Sequence, residues 1–164
     1  MMEKTFSFLS LMFSGALFGF FFAWVCSTMW GLDATDPRVA IQAMQAMNGS
    51  IRNAVFAPVF FGTVVVLGIA TAVQFAKGQR VAAGWFLAAT ITTLLFNNVM
   101  TFTILVPMNE ALGLVVVPDS LDEAEAIWSA YSDPWKVRNY IRTAGCGLAL
   151  ALTAVGVLSG RSTA

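Results

Sequence analysis

The chain contains no histidine. That absence removes the commonest ligand of haem, zinc, copper and non-haem iron, and every mechanism that runs through imidazole. Cysteine is nearly absent too: Cys26 and Cys146 lie far apart, with no CxxC spacing, so no disulfide framework is expected. No metal site and no cofactor are therefore expected. Charge is scarce, at 11% of residues, and nine basic side chains balance nine acidic ones. A chain of zero net charge lacks the basic surface that nucleic acid requires, so no nucleic-acid partner is expected. Soluble domains carry about 25% charged residues. This chain of 164 residues is instead 58% hydrophobic, with a mean hydropathy of +0.75.

The apolar residues come in runs. Thr5 to Leu32 holds no charge and ends at Asp33, long enough for a membrane span, which needs roughly 20 apolar residues. A signal peptide would be shorter and end at small residues, so a retained helix is expected. Gly15, Gly19, Ala23 and Ser27 recur every fourth residue in it, a small-residue stripe expected to pack against a neighbouring helix. Asp36-Pro37 then caps an amphipathic segment, VAIQAMQAM, expected to lie on the membrane or lid the bundle and to break at Asn48, Gly49 and Ser50. Further runs cover residues 54–76 and, after the tight turn Lys77-Gly78-Gln79-Arg80, residues 81–106. In the latter, Thr93, Asn97, Thr101 and Asn109 form a four-residue stripe through Leu105, with Thr90 and Asn98 beside it. Unpaired amides in hydrocarbon are costly, so this stripe is expected to face the bundle interior.

Leu112 to Ser132 is a long connection with its own helix. Ser120 and Glu123 fit a capping box, and Asp122, Glu123 and Glu125 suit the positive end of the helix dipole. Asp133-Pro134 reads as the start of the last span, residues 134–158. From there Trp135, Arg138, Asn139 and Arg142 share one face. Arg138 suits a snorkelling interfacial role as well as a buried one. Arg142 lies deeper, where a guanidinium must face protein or a wet cavity.

The expected fold is thus all-α: one integral membrane domain, 1–164, of four transmembrane helices spanning roughly 5–32, 54–76, 81–106 and 134–158. It has a short amphipathic helix in the first loop and a helical third loop. Lys4, Lys77, Arg80 and Arg161 oppose Glu3 alone on the side of the termini. Arg38, Arg52, Lys136, Arg138 and Arg142 face eight acidic residues on the other. This asymmetry places both termini in the cytoplasm only if Arg52 and Arg142 are buried functional groups rather than topology signals. The unusual polar residues Arg52, Asn109, Trp128, Tyr131, Trp135, Asn139 and Arg142 all fall at the opposite end. A pocket roofed by the two long loops is expected there.

FSGALFGFFFAW, AMQAMNGSIRNAVFAPVFFGT, FTILVPMNEAL and WSAYSDPWKVRNYIRT, in this order, resemble the anthrone-oxygenase-like family of small four-helix membrane proteins, many of which are labelled only as a domain of unknown function. The most specific matches are PxNxxL at Pro107, Asn109 and Leu112, and WxxxNxxR at Trp135, Asn139 and Arg142. Asn48 and Arg52 lie in a segment resembling the bacterial branch, which implies a bacterial plasma membrane. The resemblance implies oxidation of a polycyclic anthrone to a quinone by dioxygen, without metal or flavin. Many relatives carry histidine after the motif asparagine, where this chain has Tyr140.

Two functions stay open. As a cofactor-independent oxygenase, the chain needs a flat apolar slot, donors for an oxyanion and a base. Trp128, Tyr131 and Trp135, with Asn48, are the candidate slot, and Arg142, Asn139, Asn109 and Arg52 the candidate oxyanion donors. Glu110 or Asp133 is the candidate base. As a non-catalytic membrane protein, the same groups suit the head group of a lipid or other amphiphile. Either way the expected partners are the bilayer and a hydrophobic aromatic or amphiphilic molecule, with a homo-oligomer left open. A thiol oxidoreductase built on Cys26 and Cys146 is the weakest reading, since buried cysteine usually serves as a small apolar filler.

Overall fold

The computed structural model describes residues 2–160. Arg161, counted in the charge asymmetry, lies outside them. Five helices follow one another: α1 Met2–Asp33, α2 Pro37–Ser50, α3 Phe56–Ala76, α4 Arg80–Gly113 and α5 Leu121–Ser159. All but α2 are long and apolar enough to cross a membrane. Helix α1 packs against α3 and α5, and α4 packs against the same two, so the four stand in a square. Among the described residues there is no strand. The large side chains left on the outside, such as Phe8, Phe22, Val65, Ile69 and Ile91, are apolar, as lipid demands. This is a four-helix membrane bundle.

Helix α2 starts as its sequence dictates. The Asp36 carboxylate accepts from the Arg38 backbone N–H at 2.9 Å and from the Arg38 side chain at 2.7 Å, with Pro37 in the first turn. The hydrogen-bonded Arg38 side chain holds the Asp36 carboxyl below the usual carboxylate range. The helix runs through Ser50 rather than breaking at Asn48. It buries Ala40, Ile41 and Met44 against α5 and lids the end of the bundle opposite the termini. Gln45 Nε2 fastens that lid by donating to the carbonyls of Leu112 and Val115, both at 2.9 Å.

The expected start at Pro134 is absent, because α5 continues unbroken from Leu121 to Ser159. The Ser120 hydroxyl caps it by accepting from Glu123 N at 3.4 Å. The reason lies in the packing. Ala124, Trp128, Tyr131, Trp135, Asn139, Arg142, Cys146, Ala149, Thr153 and Gly156 are all buried, at spacings of three or four. That stripe crosses Pro134 without a change of phase, so tertiary contacts on both sides offset the missing N–H.

The small-residue stripe of α1 is a second correction. It does not pack inside: Gly19, Ala23 and Ser27 are exposed, and a methyl group at Gly15 or Gly19 would meet nothing within 4 Å. The buried face is Ser7, Ser10, Ser14, Leu17 and Phe21. Close packing occurs instead at Gly145 of α5, where a Cβ would overlap Phe96 Cβ and Cγ on α4. Gly145→Ala is therefore expected to destabilise the bundle by about 1–3 kcal/mol. Gly19→Ala should leave it unchanged. Thermal melts of the two variants in detergent check this, and equal midpoints would contradict the packing.

Candidate functional site

Among the described residues, three wide π-helical turns interrupt the membrane helices: Trp24–Thr28 in α1, and Leu94–Val99 and Thr101–Leu105 in α4, from its middle onward. Such insertions are frequent at functional sites. Trp24 of the first and Thr101 and Phe102 of the third border a cleft of about 1320 Å³. Phe20, Phe21 and Trp24 of α1 form one wall, and Phe56, Ala57, Phe60 and Phe61 of α3 form another. Helix α4 contributes Thr101, Phe102, Val106, Asn109 and Glu110, while Gln45, Asn48 and Arg52 close the roof. Trp135 and Arg142 of α5 are the back wall.

Arg142 is the unusual group. It is only 5% exposed, yet none of the described acidic residues forms an ion pair with it. Its Nε and Nη2 both donate to Asn139 Oδ1, at 3.1 and 2.6 Å, and Nη1 donates to Thr101 Oγ1 at 3.2 Å. The guanidinium carbon lies 3.8 Å from the centre of the Phe21 ring, whose π face partly balances the charge. These are neutral partners only. A buried cation without a counter-ion is costly by several kcal/mol, so the arrangement favours an anion in the cleft.

A second network fixes the back wall. Asn109 Oδ1 accepts from Tyr131 Oη at 2.8 Å and from Trp135 Nε1 at 3.0 Å. Those two donors identify the oxygen of the amide, so its nitrogen faces Asn48, and Asn109 Nδ2 donates to Asn48 Oδ1 at 3.0 Å. One side chain of α4 thus ties α2 and α5 together. Trp128 Nε1 donates to Asp33 Oδ1 at 2.9 Å, and Lys136 Nζ reaches Asp33 Oδ2 at 2.6 Å, anchoring the end of α1 to α5.

The expected site residues separate into three groups. Arg142, Asn109, Trp135, Asn48, Arg52 and Glu110 all line the cleft. Asn139, Trp128 and Tyr131 do not: they are buried behind it, Asn139 as the acceptor that aims Arg142 and the other two as packing around Asn109 and Asp33. The candidate slot therefore keeps only Trp135 of its three rings. Asp133 points away from the cleft, exposed and paired with Lys136 at 3.0 Å, so it is not placed to act as base. Arg52 and Glu110 pair with each other at 3.2 Å on the exposed rim. Arg138 folds back on its own helix, donating to the Pro134 carbonyl at 2.8 Å. Tyr140, which follows the motif asparagine, is 42% exposed on the outside of α5. Cys26 is exposed, and Cys146 is buried among Leu17, Phe21 and Phe60; both are free thiols, which leaves the thiol reading without a pair.

The phenylalanine walls escaped the sequence reading. Phe20, Phe21, Phe56, Phe60 and Phe102 are indistinguishable in a membrane sequence from lipid-facing filler. Their one signal is clustering: the 14 phenylalanines are dense in the first two spans.

Comparison with curated proteins and with solved structures gave no match. A family model for anthrone oxygenases matches residues 51–152, well over half of the chain. That stretch carries α3, α4, the motif around Asn109 and the α5 segment from Trp128 to Arg142. The chain belongs to the anthrone oxygenase family.

Proposed function

We propose that the chain oxidises an anthrone-type polycyclic phenolic with dioxygen inside this cleft, using no metal, flavin or nicotinamide. The observation that carries this reading is Arg142: a buried guanidinium without a carboxylate partner, set in an aromatic-walled cleft. An anthrone that loses its benzylic proton becomes an enolate with the charge on oxygen. Arg142 supplies the matching cation and shifts that equilibrium toward the reactive form. Of the cleft-lining residues only Glu110 is acidic, and in this reading it accepts the proton. The electron-rich enolate carbon then reacts with dioxygen, and loss of water from the resulting hydroperoxide leaves the quinone carbonyl. Anthrone and dioxygen give quinone and water, so no further reductant is needed. The absence of histidine supports a route without metal, since the commonest metal ligand is missing from the chain.

Oxygen uptake by purified protein with a panel of anthrones tests this. Uptake matched by quinone formation and unchanged by chelator is expected. Loss of uptake on chelation, restored by one metal, would overturn the cofactor-free mechanism. The size of the cleft also suits an anionic amphiphile. Absence of uptake with every anthrone, together with an anionic lipid co-purifying in stoichiometric amount, would favour a binding protein.

A further inference from the structure

We propose that the cleft receives its ligand sideways from the bilayer, through a gap between α3 and α4, rather than from water across the roof. The inference rests on the reading of Arg142 as an anion site. Helices α3 and α4 lie together over Arg80–Thr93, barely touch at Leu94–Val99 and part beyond it. Rings bridge the separated part: Phe102 meets Phe60 edge-on with centroids 5.8 Å apart and stacks on Phe61 at 6.1 Å. Phe61 and Phe102 line the cleft and are 54% and 50% exposed, on helices that face lipid. Residues that border both an interior cavity and the lipid-facing exterior form the rim of an opening.

The roof also carries exposed lining residues, Arg52 and Glu110 among them, but it is held differently. Polar links strap it: Gln45 to the Leu112 and Val115 carbonyls, Asn109 to Asn48, and the ion pair of Arg52 with Glu110. Opening it breaks several hydrogen bonds at once, whereas exposed phenylalanine side chains change rotamer on the nanosecond scale without losing any. The occupant follows from the two ends of the path. A lipid-facing aromatic gap admits an apolar molecule already dissolved in the bilayer, and Arg142 at its inner end selects one that carries an oxyanion. The ligand class is therefore a flat polycycle with one ionisable oxygen, which must lead into the cleft to reach Arg142.

Two cysteine pairs in a Cys26→Ser background separate the routes. One is Phe61→Cys with Phe102→Cys across the lipid-facing gap; the other is Arg38→Cys with Asp119→Cys across the roof, where the Arg38 side chain donates to the Asp119 carbonyl at 3.1 Å outside the cleft lining. Each protein is reconstituted in phosphatidylcholine vesicles, and anthracene-2-carboxylate is the probe. Binding is followed by energy transfer from tryptophan after rapid mixing, before cross-linking with a short bis-thiosulfonate, after it, and after reduction. Because each molecule serves as its own reference, a change of fold in the variant does not obscure the outcome. Cross-linking the gap is expected to slow association about tenfold or more, and reduction to restore it. Cross-linking the roof is expected to change nothing. Slowing by the roof cross-link alone, or by neither, would overturn lateral entry. No energy transfer before cross-linking would instead overturn the anion-site reading beneath it.

Discussion

Arg142→Lys is expected to cut turnover of an anthrone about 10²–10³-fold, far more than it cuts protein yield, because it removes a preorganised donor from the developing oxyanion. Lysine keeps the positive charge, so a purely electrostatic role would survive the change. What it lacks is the planar fork. Two N–H groups of Arg142 are committed to Asn139 Oδ1 and a third to Thr101 Oγ1, which locks the guanidinium plane while leaving its remaining donors for a ligand. An ammonium on a flexible stem cannot hold those neutral partners and an enolate oxygen in one fixed geometry. Arg80→Lys, on the exposed turn at the opposite end, is the control and should have no effect. Initial rates of oxygen uptake, normalised to folded protein, measure the difference. Equal rates for Arg142→Lys and the parent would remove the planar fork of Arg142 from the chemistry.

The second large effect concerns folding. Asn109→Leu would strip partners from Tyr131 Oη, Trp135 Nε1 and Asn48 Oδ1 together. Each unsatisfied buried polar group costs about 1–3 kcal/mol. A chain of this size loses roughly 2–4 °C of midpoint per kcal/mol, so a drop of about 10 °C or more is expected. Tyr131→Phe and Trp135→Phe make an informative comparison. Either change deletes one donor and leaves Asn109 Oδ1 with the other, so each should cost only about 1 kcal/mol. Thermal melts of the three variants would show the asymmetry. An Asn109→Leu midpoint no lower than those of the two single-donor variants would mean that the amide does not hold the network.

Much of the fold was legible because lipid imposes a simple rule. Charge-free runs ended by Asp33, Lys77 and Arg80 bounded the first two spans and the start of the third within a few residues, and Asp36-Pro37 and Ser120 marked two helix starts. The site was legible only in part, and the two four-residue stripes show why. In an α-helix, side chains four apart drift by about 40° per step, since a turn takes 3.6 residues. Helix α1 is α-helical through Gly15, Gly19 and Ala23, so its stripe wound out to the lipid face, and the buried face alternated three and four. In α4 the wide π turns at Leu94–Val99 and Thr101–Leu105 absorb the drift. Thr93, Asn97 and Leu105 consequently stay buried, and Thr101 and Asn109 reach the cleft. The same spacing meant opposite things because of a backbone feature that residue identity does not announce. Pro134 misled for a related reason: its local cost was readable, whereas the continuous packing stripe that offsets it appeared only in three dimensions.

The central claim is that the cleft stabilises an oxyanion through Arg142, and it can be measured without turnover. Under strict exclusion of oxygen, anthrone is mixed with the reconstituted protein at a pH where free anthrone stays neutral, and the visible spectrum is recorded. If the planar donors of Arg142 hold the enolate oxygen, the enolate band should appear in proportion to protein and be lost in Arg142→Lys. Anthrone that binds and keeps its neutral spectrum, or an enolate band of equal intensity in Arg142→Lys, would contradict it.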